Sequence, residues 1–187
     1  MTDTLLHRTP RDELPEPLRQ VWDRLNELTG EPTFVEVFAS APELLDFVMG
    51  QFYGNIFFGG RVAERYKQIA RLKLSLVHGC RTCNLQNVPG AREAGISQAQ
   101  IDALDDADDP VHAPPDRAVI RFAEQMVLTN PDGRMDSELY GELSAHFSDA
   151  EICELGTVMA VIGGMAKLSF VIDVVEKETY CPFAAAS

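Results

Sequence analysis

Positive charge is scarce in this chain: 16 Lys and Arg stand against 29 Asp and Glu, a formal charge of −13. A surface of that sign repels phosphate backbones and anionic headgroups, so neither nucleic acid nor a membrane surface is expected as a partner. Strand-hairpin signals, internal repeats and phosphate-binding glycine loops are lacking, which argues against β-rich and nucleotide-binding architectures. The first residues, MTDTLLHRTPRDELPEP, are polar and proline-marked, without the apolar core of a signal peptide. No uninterrupted apolar run is long enough to span a bilayer; residues 155–175 come closest, broken by Gly163-Gly164, Lys167 and Asp173. A cytoplasmic protein is expected. Cysteines number only four, with a single CxxC. In a reducing compartment such a pair is redox-active or metal-binding rather than a structural staple. Zinc would need two more ligands, and no second CxxC or HxxxH supplies them, so no metal or other cofactor is expected.

What is present is an apolar share of 45% in 187 residues, ample for one packed domain. Residues 1–14 read as a flexible lead-in, 15–176 as the helical domain and 177–187 as a tail. Pro15 and Pro17 open a helix carrying Leu18, Val21, Trp22, Leu25 and Leu28 at helical spacing, with Gly30 as its stop. Phe34 to Phe38 reads as a turn or two of helix. Ser40, Ala41, Pro42 and Glu43 read as the N-cap and first turn of another helix, running to about Phe57. The aromatic cluster Phe52, Tyr53, Phe57 and Phe58 reads as core, or as a pocket wall or subunit contact. Arg61 is expected to begin the next helix. Ser97 to Gln100 and Ser148 to Glu151 are capping-box patterns, and Asp136 is a further N-cap. The acidic run Asp105–Asp109 lacks calcium-loop spacing and reads as a solvated linker. Pro115 begins a helix to Leu128, and the last long helix is expected from Ala150 to about Glu176, with Cys153 buried on its apolar face. Gly163-Gly164 would let another backbone approach closely, within the subunit or across an interface. The fold class is all-α.

The stretch from Gln68 to Ser97 organises the rest. A helix to Val77 carries Ile69, Leu72 and Leu76 on one face; His78-Gly79 interrupts it, and Cys80-Arg81-Thr82-Cys83 opens a new one. At helical pitch Cys80, Cys83 and Asn87 share a face. A thiol in a first helical turn faces unpaired N–H groups and the positive end of the dipole, both of which favour the thiolate. Pro89-Gly90 is expected to kink or restart this helix. His78, two residues before Cys80, reads either as a support for thiolate formation or as a loop histidine in water. Cys181 reads as an exposed, incidental tail residue, with a resolving or intermolecular role as the alternative.

The same stretch resembles the core motif of the carboxymuconolactone decarboxylase and alkylhydroperoxidase D superfamily: a glutamate on one helix, CxxC opening the next, a histidine four residues on and a closing glycine. Cys80, Cys83 and Gly95 fall on that motif. Ser40, Pro42, Leu44 and Leu45 before it are similar to the family's flanks, as are Arg117, Phe122 to Glu124 and Phe147 to Ile152 after it. The likeness spans about Phe38 to Val175. Two positions depart from the motif, with Gln68 in place of the glutamate and Asn87 in place of the histidine. The resemblance implies an alkylhydroperoxidase D-like helical bundle that forms a homo-oligomer. It also implies a catalytic set of Cys80, Cys83, Gln68 and Asn87, with Cys83 attacking a peroxide or disulfide substrate, Cys80 resolving it, and an external dithiol restoring the pair. Gln and Asn hydrogen-bond but take up no proton near neutral pH. One alternative is a carboxymuconolactone decarboxylase-like enzyme, which the two cysteines and the missing histidine argue against; the other is a non-catalytic member whose proton relay has decayed. Glu64, one turn before Gln68, is a candidate displaced acid.

Overall fold

A computed structural model describes residues 2–183; Met1 and the end of the expected tail, 184–187, lie outside the described residues. Among the described residues every regular element is helical, and one isolated antiparallel bridge, Cys80 to Lys177, is the only extended pairing. The α-helices are α1 (Glu16–Thr29), α2 (Thr33–Phe38), α3 (Pro42–Asp46), α4 (Glu64–His78), α5 (Arg81–Glu93), α6 (Gln98–Asp102), α7 (Pro114–Met126), α8 (Ser137–Ser144) and α9 (Asp149–Val171). A 3₁₀ turn, Arg11–Glu13, precedes α1, and a π-helical segment, Phe47–Phe57, continues α3.

Local chemistry sets most of the boundaries. Gly30 ends α1 in the left-handed region at φ 71°, where a side chain would be strained. Asp136 accepts from the Glu138 and Leu139 amides, and Ser97 and Ser148 each close a capping box. The last long helix stops at Val171 rather than near Glu176, because the chain turns into the left-handed region at Asp173, φ 53°. Three further boundaries differ from expectation. Ser40 turns its hydroxyl back to the Val37 carbonyl, leaving Ala41 as the uncapped start of α3. The fourth helix begins at Glu64 rather than Arg61, because the Arg61 and Val62 amides are taken by the Glu154 carboxylate. And α5 runs through Pro89 to Glu93 without restarting. The carbonyl that Pro89 cannot serve belongs to Leu85, a residue exposed enough for water to reach.

At the centre stands α4, packed against α5, α7 and α9. Ile69, Ala70, Leu72 and Leu74 join Val119, Ile120 and Ala123 of α7 and Ile152, Leu155 and Met159 of α9 in the main core, all nearly or fully buried. Because α4 is enclosed on every side, its polar residues are buried too, and most of them find a partner on another element. Lys67 pairs with Glu154 at 2.8 Å and donates to the Ile56 carbonyl at 2.6 Å. Lys73 reaches Glu124 and the Leu104 carbonyl, each at 2.8 Å. By length and composition α9 could cross a membrane, which the interruptions in its sequence had argued against. Here it serves as a core helix, with Ile152, Leu155, Val158 and Met159 turned inward and Glu154 in the Lys67 pair.

Both end segments touch the bundle. Leu14 is buried, the Thr9 amide donates to the Glu36 carbonyl at 3.0 Å, and Trp22 donates to the Glu36 side chain at 2.8 Å. Residues 174–183 cross the turn between α4 and α5 as a strap. The Glu178 amide donates to the Gly79 carbonyl at 2.8 Å, and the Glu176 amide donates to the Thr82 hydroxyl at 2.9 Å. The two free cysteines reverse their expected positions: Cys153 is exposed, and Cys181 is buried. Cys153 lies on the outer side of α9, whose inner side is filled by Ile152, Leu155 and Met159, whereas the strap folds Cys181 inward. A Cβ at Gly163 or Gly164 would meet nothing within 4 Å, so among the described residues no close backbone approach depends on either glycine.

Candidate active site around the Cys80–Cys83 pair

Gly79 ends α4 at φ 62° and reverses the chain, so that Cys80 becomes the N-cap of α5 with extended backbone. Cys80 and Cys83 form a disulfide, with their Cα atoms 5.2 Å apart, a separation that a disulfide spans without backbone movement. The Cys83 amide donates to Cys80 Sγ at 3.2 Å, the position a Ser or Asp side chain takes in an ordinary N-cap. Both sulfurs therefore sit at the positive end of the α5 dipole. Their exposure differs: Cys80 is fully buried, whereas Cys83 is only partly so. Cys80 packs with Phe170, Val175 and Cys181, and Cys83 lies at the edge of that cluster.

Gln68 is fully buried on α4 and faces Gly90 of α5, where a Cβ would come within 3.0 Å of its Nε2. Its hydrogen bonds run along α4, from Nε2 to Glu64 Oε1 at 2.8 Å and from Arg71 Nη2 to its Oε1 at 2.6 Å. A neutral amide thus bridges a carboxylate and a guanidinium, a place where a second carboxylate would lie against Glu64. Asn87 is buried on α5 one turn after Cys83, on the flank that also carries Gly90.

Two further polar groups here carry no signal in the sequence. Arg71 is almost wholly buried, with its guanidinium carbon 4.8 Å from the centre of the Phe57 ring and its Nε without a partner. Burial holds this guanidinium below its usual range, although Tyr53 and Glu64 raise it. The Asn84 Oδ1, next to Cys83 in sequence, is a buried acceptor without a partner. Only the packing of α4 on the π-helical segment and on α5 distinguishes these residues from surface ones. No group of three or more His, Cys, Asp or Glu side chains suited to a metal occurs among the described residues.

His78 is not a loop histidine in water. It is the last residue of α4, fully buried, and its Nε2 accepts from the Leu128 amide at 3.0 Å. Burial lowers its pKa from 6.5 to about 4, so the ring is neutral at pH 7 and brings no positive charge to a thiolate. The unfolded chain protonates this histidine near pH 6.5 and the folded chain only near 4, so stability is full above 6.5 and declines between these values. Urea midpoints of wild type and His78→Gln are expected to diverge less at pH 4.5 than at pH 7. The wild type should lose up to about 3 kcal/mol more than the variant over that range. Equal losses in the two proteins would refute this.

The model of the carboxymuconolactone decarboxylase family matches residues 42–125, from the start of α3 to the end of α7. A search of curated proteins gives no match. Among solved structures, a peroxidase-related protein with an alkylhydroperoxidase AhpD core from Ralstonia eutropha superposes with a TM-score of 0.70 at 14% identity, covering 94% of this chain and 93% of its own. The debrominase Bmp8, solved as a cysteine-to-alanine variant with 2,3,4-tribromopyrrole, gives 0.71 at 17% identity over 95% and 93% of the two chains. A protein of unknown function from Agrobacterium tumefaciens, named for antioxidant defence and AhpD, gives 0.63 at 21% identity over 72% and 91%. At these identities the likeness to the solved structures establishes the helical fold. Over residues 42–125, from α3 to α7, the chain is similar to the carboxymuconolactone decarboxylase family, and the fold around that stretch is the one these helical structures share.

Proposed function

We propose that the protein is a CxxC thiol oxidoreductase that reduces peroxides through the Cys80–Cys83 pair. The observation that carries this reading is the disulfide at the N-terminus of α5, with Cys80 fully buried and Cys83 only partly buried. Cys83, the sulfur a small molecule can reach, attacks the terminal peroxide oxygen as a thiolate. The O–O bond breaks and an alcohol leaves with a proton, so that Cys83 becomes a sulfenic acid. Cys80 then attacks that sulfur, water leaves, and the disulfide closes. An external dithiol reduces it by exchange and is itself oxidised. Gln68 and Asn87 act by hydrogen bonding and positioning, since neither takes up a proton. No cofactor takes part, and a reducing cytoplasm would supply the dithiol. Assembly as a homo-oligomer belongs to the same reading.

The relation to a debrominase that binds a brominated pyrrole suggests a second substrate class for the same thiolate, with attack on halogen in place of oxygen. Reduced wild type, Cys80→Ser and Cys83→Ser should be followed by thiol alkylation before and after an organic hydroperoxide, and separately with tribromopyrrole. The reading requires rapid loss of two alkylatable thiols in wild type that either substitution abolishes. Loss only with the halogenated substrate moves the assignment to dehalogenation. Thiols that stay reduced with both substrates, and titrate near the ordinary value of about 8.5, leave a non-catalytic member of the superfamily.

A further inference from the structure

We infer that Cys181 is a third member of this redox site, accepting the disulfide from the Cys80–Cys83 pair by intramolecular exchange. The inference rests on the proposed thiol chemistry of that pair and adds a residue far away in sequence.

The geometry brings three sulfur-bearing residues into one closed cluster. Cys80, Cys181, Phe170 and Val175 are buried together, with Cys83, Ala166 and Phe183 packed against them. The strap is fastened on both sides of the CxxC turn: Lys177 bridges Cys80, Glu178 donates to the Gly79 carbonyl, and the Thr82 amide donates to the Glu176 carbonyl. Cys181 is pressed against the residue immediately before the pair, since a Cβ on Gly79 would lie 2.6 Å from Cys181 Cα. That contact holds the Cα atoms of Gly79 and Cys181 within about 4 Å of each other. Cys80, one peptide further on, is then within about 8 Å of Cys181, so the exchange needs movement of the strap only over the distance between that bound and disulfide range. Cys181 is a free thiol whose Sγ donates to the His78 carbonyl at 3.0 Å.

The step conserves atoms and electrons. The Cys181 sulfur attacks Cys80 Sγ, the Cys80–Cys83 bond breaks, and its electron pair leaves on Cys83. The proton lost by Cys181 is returned at Cys83, the partly open sulfur. One disulfide is present before and after, so no outside oxidant or reductant is needed. Cys83 is the suitable leaving group because it lies in the first turn of α5, where the helix stabilises a thiolate. The exchange regenerates the more accessible thiol at Cys83 and stores the oxidising equivalent in the buried Cys80–Cys181 pair beneath the strap.

The test uses the full-length chain carrying Cys153→Ser, which removes the exposed cysteine. A Cys83→Ser version is equilibrated in a glutathione redox buffer, digested without reduction and mapped by mass spectrometry. The expected dominant species is a Cys80–Cys181 linked peptide. Recovery of Cys80 as its glutathione adduct, with Cys181 free, would overturn the inference. A second measurement guards against disturbance by the serine: the oxidised chain with both CxxC cysteines intact is treated with iodoacetamide. Alkylation of Cys83 is expected, and it should disappear in Cys181→Ser; labelling unchanged by Cys181→Ser counts against the exchange. Neither readout involves peroxide, so a failed hydroperoxide reaction would remove the proposed function while leaving the exchange result in place.

Discussion

Glu154→Ala is expected to cost about 3–5 kcal/mol of folding stability, the penalty for leaving a buried charge without its counter-ion. Lys67 is fully buried in the first turn of α4, and its ammonium has Glu154 at 2.8 Å and the Ile56 carbonyl at 2.6 Å. Without the carboxylate, one carbonyl is left to compensate a full charge. The same substitution frees the Arg61 and Val62 amides, which donate to the two carboxylate oxygens at 2.9 and 3.1 Å. Gly60 makes this close approach feasible, because a Cβ there would fall 2.1 Å from Glu154 Oε1. Burial pushes the Glu154 carboxyl up, but the bonds from Lys67, Arg61 and Val62 outweigh it and hold the pKa below its usual range. Its contribution is therefore present above the unfolded carboxylate pKa and is lost as pH falls through the folded value. Lys67→Met should be milder, since Glu154 keeps both amides. Urea denaturation at pH 7 reads the effect as a lower midpoint at constant m. A loss below about 1 kcal/mol for Glu154→Ala would show that water reaches the pair.

Gly79→Ala is expected to cost about 2–4 kcal/mol, from left-handed backbone strain together with overpacking against the strap. At φ 62° a side chain is disfavoured, and the added Cβ would meet Cys181 Cα at 2.6 Å and Cys181 Cβ at 2.8 Å. Those atoms are backbone or next to it, so relief requires the strap to lift. Lifting it exposes Cys80, which is now fully buried. The variant should thus show faster reduction of the Cys80–Cys83 disulfide by a small thiol, along with the lower urea midpoint. A stable variant with an unchanged reduction rate would mean that the strap does not guard the pair. Gly30→Ala is the useful contrast, because φ is similarly positive but a Cβ there meets nothing within 4 Å; it should cost only about 1 kcal/mol.

Elements governed by neighbours in sequence were legible. Gly30, Asp136, Ser97 and Ser148 end or begin helices where expected, because a cap is made by residues within three or four positions of one another. CxxC at the head of a helix is equally local, and the disulfide closes within a single turn. Pro89 misled because its cost depends on the carbonyl it strands, and Leu85 happens to face water. Cys153 and Cys181 misled in opposite directions, since an apolar helix has an outer side and a terminal segment can fold inward. His78 misled for the same reason: a helix end beside a turn is wet only if nothing covers it.

By itself the sequence determined an all-α chain, its main helix starts and stops, and a thiol pair at the N-terminus of α5. These follow from periodicity, capping and glycine backbone freedom, which act over a few residues. Only the tertiary structure decided that α4 is enclosed on all sides, so that Lys67, Arg71 and Lys73 are buried charges rather than a solvated face. It also decided that Glu154 answers Lys67, and that the strap carries Cys181 to the CxxC turn. Burial of a charge or a thiol is settled by which surfaces meet across long loops, and no spacing within one helix records that.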